Sequence, residues 1–177
     1  MSEPLTSDPV LAPRRTRDAR PWLLVLAAVV VLLDRVTKLW IEHHLPSGHN
    51  IQIIPGFFAL SHVFNTGAAF SLFAESLSPH LVRNLLVAFS VAAVVVVLGM
   101  IARVGRTASP TGIALALILG GALGNLYDRI KFSYVIDFLQ VKIVHYHWPD
   151  FNIADSCIVI GACLLLLEIF RVQPADS

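Results

Sequence analysis

Charge is what this chain has least of. Only 14% of its 177 residues are Asp, Glu, Lys or Arg, against about 25% in an average soluble domain. Mean hydropathy is +0.72. That excludes an ordinary soluble domain and a disordered chain alike. The 13 basic and 12 acidic side chains leave a net charge of +1, too little to attract nucleic acid. The two cysteines, Cys157 and Cys163, lie in one apolar block without disulfide or metal-ligand spacing; they read as small residues packed between helices. No Lys or Arg occurs between Glu42 and His80, and repeats are absent. The first apolar run ends Leu33-Asp34-Arg35, with no small-residue cleavage site, so it reads as a retained helix rather than a secretory signal.

What is present is a set of four apolar blocks: Trp22 to about Ile41, Leu85 to Ala102, Thr111 to Tyr127 and Ile153 to Phe170. Each is long enough for a helix rising about 1.5 Å per residue to cross the hydrocarbon. The expected fold is an integral membrane protein, mainly α, with four transmembrane helices and a small β-hairpin or cradle on the outer face. Residues 1–20 form a basic arm, residues 21–171 a single membrane domain and residues 172–177 a tail. The outer loops are 42–84 and 128–152. Arg14, Arg15, Arg17 and Arg20 precede the first span, Arg103 and Arg106 join the second to the third, and Arg171 follows the fourth. The positive-inside rule therefore places both termini in the cytoplasm. Arg129, Lys131 and Lys142 in the second outer loop run against that pattern. Within the outer loops, Ile51 to Ile54 and Phe57 to Phe64 flank Pro55-Gly56 as a hairpin, and Tyr134 to Val144 is also β-prone.

Ionisable groups inside a span are costly and mark function by default. Asp34 lies roughly 18 Å along the first span and Asp128 roughly 26 Å along the third. Asp155 opens the fourth, and Asp137 sits in the loop before it. Four aspartates thus converge on the outer membrane face. Asp34 has Lys38 one turn later, a pairing that leaves the lysine free to reach outward. Asp128 precedes Arg129, which points to a salt-bridged structural role. Asp137 and Asp155 have no adjacent cation. Desolvated carboxylates placed together share a proton, so one activates water while the other protonates a leaving group or carbonyl. These two make the chemically better dyad.

At these positions the chain resembles the bacterial lipoprotein signal peptidases, or signal peptidase II. The matching blocks are Asp34-Arg-Val-Thr-Lys38, Asn65-Thr-Gly-Ala-Ala-Phe-Ser71, Gly120-Gly-Ala-Leu-Gly-Asn-Leu-Tyr-Asp-Arg129, Val135-Ile-Asp-Phe138 and Phe151-Asn-Ile-Ala-Asp155. The resemblance implies an inner-membrane aspartyl endopeptidase, its site near the periplasmic face, with Asp137 and Asp155 catalytic. It cuts prolipoproteins just before a diacylglyceryl-modified cysteine. It makes Asp34, Lys38, Asn65, Gly121, Asn125, Asp128, Arg129, Asn152 and Ala154 supporting residues. It further implies no metal or cofactor, membrane lipid as a partner, cyclic-peptide antibiotics of the globomycin type as inhibitors, and a monomer.

Residue chemistry adds particular roles. Asn65 and Arg129 suit backbone carbonyls of a substrate. Gly120, Gly121 and Gly124 allow a neighbouring helix or acyl chain close. Asn125 and Asn152 suit orienting the carboxylates, and Asn152 equally suits an N-cap. Two features depart from the family: Arg35 stands where glutamine is usual, and the arm is long. Two other readings compete. His145, His147 and Asp150 suggest a zinc site but lack a distant further ligand. A small transporter or noncatalytic binding protein would spread its acids through the bilayer depth.

Overall fold

The computed structural model describes residues 18–67 and 78–171. Within them the chain forms α1 (Arg20–His44), β1 (Asn50–Ile54), β2 (Phe58–Asn65), α2 (Pro79–Val104), α3 (Pro110–Phe132), β3 (Val135–Ile143), β4 (Tyr146–His147) and α4 (Ile153–Phe170). Most of the basic arm, residues 68–71 of the second matching block and the tail lie outside the described residues.

Local chemistry sets the helix starts. Ser78 and Ser109 each cap a helix whose first residue is proline, their hydroxyls accepting from Leu81 N–H and Gly112 N–H. Proline there loses no hydrogen bond that the helix makes. Asn152 begins α4 with a capping box, its side chain accepting from Asp155 N–H while the Asp155 carboxylate accepts from Asn152 N–H. α3 runs one turn past Tyr127 and stops at Ser133, whose φ of 70° cannot continue a right-handed helix. Asp128 and Arg129 are therefore helical rather than in a loop.

α3 is the central helix and packs against α1, α2 and α4. A core of Leu23, Ala27, Val97, Ile101, Leu115, Ala116 and Leu119 joins three of them. Without a hydrophobic force to press helices together in lipid, close approach decides the packing. A Cβ on Gly120 would lie 2.7 Å from the Ala27 carbonyl, and one on Gly121 would collide with the Ala154 carbonyl. α2 and α4 turn most of their apolar surface outward, as Val95, Leu167 and Phe170 do, each more than 60% exposed.

Among the described residues three helices are long and apolar enough to cross a membrane: α2, α3 and α4. α1 has the length, at 25 residues, but carries Asp34, Arg35 and Lys38 in its second half. An integral, mainly helical membrane protein is the result.

The strands form one antiparallel sheet in the order β1-β2-β3-β4. The expected hairpin is β1 with β2, closed by Gly56 at φ +75°. The β-prone stretch after α3 is β3, which pairs with β2 so that Asp137 faces Val63. Buried His62 fastens the sheet to the end of α1 by donating from Nδ1 to the Leu45 carbonyl at 2.7 Å.

Candidate active site

The second catalytic candidate reaches the first through a short splice. Phe151 pairs with Leu139 on β3 by backbone hydrogen bonds of 2.8 and 3.1 Å, and α4 starts two residues later. That delivers Asp155, in the first turn of α4, to the neighbourhood of Asp137. Asp150 secures the splice: it accepts from Ser61 Oγ at 2.7 Å and from Gln140 Nε2 at 3.2 Å. Both of its oxygens are thereby engaged in holding the splice together.

The carboxylates sit in a cage of amides. Asp137 is 2% exposed; its oxygens accept from Asn65 Nδ2 at 2.8 Å and Asn152 Nδ2 at 2.7 Å. Asp155 accepts from Asn125 Nδ2 at 2.7 Å and from Asn152 N–H at 3.3 Å. Both amides are oriented by donors that cannot accept. Asn152 Oδ1 is taken by Asp155 N–H at 2.9 Å and Asn125 Oδ1 by the Lys38 ammonium at 3.0 Å. Each NH2 group must then point at a carboxylate. Burial pushes the Asp137 carboxyl up to about 7; the charge of Asp155 adds to this and the amides of Asn65 and Asn152 oppose it.

Beneath the cage lies an ion cluster. Lys38 is fully buried rather than reaching outward, which corrects the expectation from its sequence position. Its ammonium is 2.7 Å from Asp34 Oδ2 and 2.8 Å from Asp128 Oδ2; the second contact is a charge pair without an aligned hydrogen bond. Two acids and an amide surround the lysine, so leaving for the interface would strand two buried carboxylates. Asp34 also accepts from Ala154 N–H at 3.0 Å, tying α1 to the first turn of α4. Asp128 is not partnered by Arg129 as adjacency suggested. Successive helical residues point apart, so Asp128 faces Lys38 and, at 3.4 Å, Arg35.

The remaining candidates fall close by. Arg129 touches the Asn125 carbonyl at 3.4 Å. Together with Asp155 it borders a cleft of about 270 Å³ between α2, α3 and α4, walled by Leu86, Phe89 and Ile158. A second cleft, of about 350 Å³, reaches Asp155 past Trp148, Phe151 and Val159. Asn65 serves Asp137 directly, a role that sequence reasoning assigned to the substrate. Ser61 and Gln140 were missed altogether; alternation along β2, which buries Ala59 and Ser61, was the only available signal for the first.

This combination defines a membrane enzyme of the aspartic-peptidase class. A family model described as signal peptidase (SPase) II matches residues 26–171, and the chain belongs to that family. It is 39% identical over 166 residues to the lipoprotein signal peptidase of Pseudomonas putida, covering 93% of this chain and 96% of that one. A Pseudomonas fluorescens protein of the same name is 44% identical over 151 residues, covering 85% and 86%. The fold is similar to a bacterial membrane enzyme solved by the in meso method at 1.9 Å, with TM-score 0.80 and 26% identity, over 90% of this chain and all of that one.

Proposed function

We propose that this chain removes the signal peptides of prolipoproteins just before their diacylglyceryl-modified cysteine, with Asp137 and Asp155 as the catalytic pair. The observation that carries this is the amide cage. Two carboxylates from β3 and α4 meet in one polar pocket that opens, through Asp155, onto two apolar clefts. A peptide with a lipid-bearing residue needs that combination of polar chemistry and acyl-sized space.

Asp137, buried and pushed up to about 7, is the member that carries the shared proton as pH falls below 7. Asp155, half-buried and bordering both clefts, is the member of the pair that faces incoming water and substrate. Asp155 takes a proton from a water held between the pair while the water oxygen attacks the scissile carbonyl carbon. Asp137 gives its proton to the carbonyl oxygen as the tetrahedral intermediate forms. Collapse returns that proton to Asp137 and passes the other from Asp155 to the leaving amine. Arg129 holds a peptide carbonyl, and Lys38, Asn125 and Asn152 hold the dyad.

Orientation follows from the ends of the bundle. α1 acts as a fourth span, its acids neutralised inside the bundle. Ala19 N–H donates to the Arg106 carbonyl at 3.2 Å, which places the start of α1 beside the basic link between α2 and α3. That end is cytoplasmic, and the sheet and dyad lie at the periplasmic face. The cage is complete within one chain, which supports a monomer. Cyclic peptides of the globomycin type are expected to compete for the same clefts.

The test is cleavage of a diacylglyceryl-modified prolipoprotein by purified protein, read as a gel shift. Asp137→Asn and Asp155→Asn, nearly isosteric but unable to act as acid or base, should each lose at least about 10²–10⁴-fold in rate while staying folded. Cleavage by either variant at the wild-type rate would overturn the dyad, and no cleavage by folded wild type would overturn the substrate.

A further inference from the structure

On the face of the bundle away from the two substrate clefts, α1 and α3 part around another cleft of about 320 Å³. Ala28, Val31, Leu32 and Gly124 line it, and Asp34, Arg35 and Tyr127 border it. It opens sideways, where Leu32 is 62% exposed and Tyr127 43%. Arg35 stands at its rim, and Lys131 shares two aromatic rings with it. The Arg35 guanidinium lies 5.4 Å from the Tyr127 ring centre and 5.0 Å from that of Phe132; the Lys131 ammonium lies 5.3 and 5.2 Å from the same two rings. Lys131 also donates to the Tyr127 hydroxyl at 2.8 Å.

The charges there do not balance. Among the described residues, Arg35 and Lys38 are ion-paired with Asp34 and Asp128 alone; Lys38 occupies both acids and Arg35 shares Asp128. Among the described residues Lys131 has no carboxylate partner. Two like charges on the same pair of rings repel, more strongly at a hydrocarbon boundary than in water. The positive-inside rule also disfavours cations at this end of the bundle. An anion set between them relieves both costs, and the apolar cleft alongside specifies what that anion is attached to.

We propose that this cleft binds one phospholipid, its phosphodiester held between the Arg35 guanidinium and the Lys131 ammonium and one acyl chain lying along Leu32, Val31 and Ala28. Guanidinium offers a fork of donors to phosphate oxygens and ammonium a point charge. Basic pockets between membrane helices bind acidic head groups in this way. That the lipid comes from the outer leaflet rests on the orientation proposed above; the ligand chemistry does not depend on it.

Native mass spectrometry of the full chain, stripped of lipid in detergent, tests this directly. Titration with dioleoyl phosphatidylglycerol should leave one molecule bound at energies that remove all others. Dioleoylglycerol, with the same chains and no phosphate, and inorganic phosphate, with no chains, should not be retained. Arg35→Gln with Lys131→Gln should weaken binding about thirtyfold, from roughly fivefold per cation. Because Arg35 also touches Asp128, Lys131→Gln alone should give about fivefold at an unchanged melting temperature. Leu32→Trp should expel the lipid while leaving both cations in place. Equal retention of dioleoylglycerol or of inorganic phosphate, wild-type binding in the double variant, or no retained lipid in wild type would each overturn the site. The readout is lipid retention rather than cleavage, so a failed dyad would leave this result standing, and the reverse.

Discussion

Lys38 contacts neither of the carboxylates proposed as catalytic, yet the orientation of Asn125 depends on it. Lys38→Met should therefore lower kcat with KM little changed, and should lower it far less when Asn125 is already alanine. Two independent structural losses would multiply instead, and a double-mutant cycle on kcat separates the two outcomes. The same substitution strands two acids at a cost of about 3–5 kcal/mol, so it is paired with Lys38→Met/Asp128→Asn, which removes one of them. Asp137 makes a second prediction. Burial pushes its carboxyl up to about 7, and the proposed mechanism uses its protonated form, so kcat/KM should fall as pH rises through about 7. A profile flat from pH 6 to 9 would place the working proton elsewhere. The sequence singled out Asp137 and Asp155 because they lack adjacent cations, and the structure brings the two to one amide cage. The destination of Lys38 was not, since its partners Asn125 and Asp128 are 87 or more residues away along the chain.

At the level of elements, the site depends on how closely α3 approaches α4. Gly121 is the contact: a side chain there runs into the Ala154 carbonyl and pushes Ile158 aside. Gly121→Val should separate the helices at the level of the dyad, destabilising the protein by about 1–3 kcal/mol or more and lowering activity even in the folded fraction. Thermal melting alongside cleavage measures both. The splice between β3 and α4 makes a separate prediction. Asp150→Ala frees Ser61 and Gln140 and should cost about 1–3 kcal/mol, and cleavage should be equally insensitive to EDTA before and after the change. Chelator-sensitive cleavage would reinstate metal chemistry at His145 and His147. The helices and the hairpin were readable because apolar length and a Pro-Gly turn are local signals, although the second helix starts at Pro79, six residues before the apolar block at Leu85. The Asp150 latch was not, because an aspartate beside Trp148-Pro149 has the composition of any interfacial loop.

For the molecule as a whole, the polarity of the bundle is the testable property. Cysteine placed at Arg106 should be labelled only from the cytoplasmic side, and cysteine at Gly48 only from the periplasmic side, by a membrane-impermeant thiol reagent. The reverse pattern would invert the site relative to its substrates. The sheet at one end and the basic link at the other make the two faces chemically unlike, so the experiment has a clear readout.

By itself the sequence determined that this protein lives in a membrane, roughly where its helices run and which acids are exceptional. These are properties of composition and short-range spacing: scarce charge, apolar length, caps and missing neighbours. Tertiary structure alone decided how those acids are held. Lys38 is buried beneath the dyad, Asn65 serves Asp137, Asp150 locks the splice, and Arg35 meets Lys131 over two aromatic rings. Each of these depends on which helix face turns inward and on groups that only folding brings within 3 to 5 Å. A buried charge has no favourable alternative to such partners, and nothing local in the chain names them.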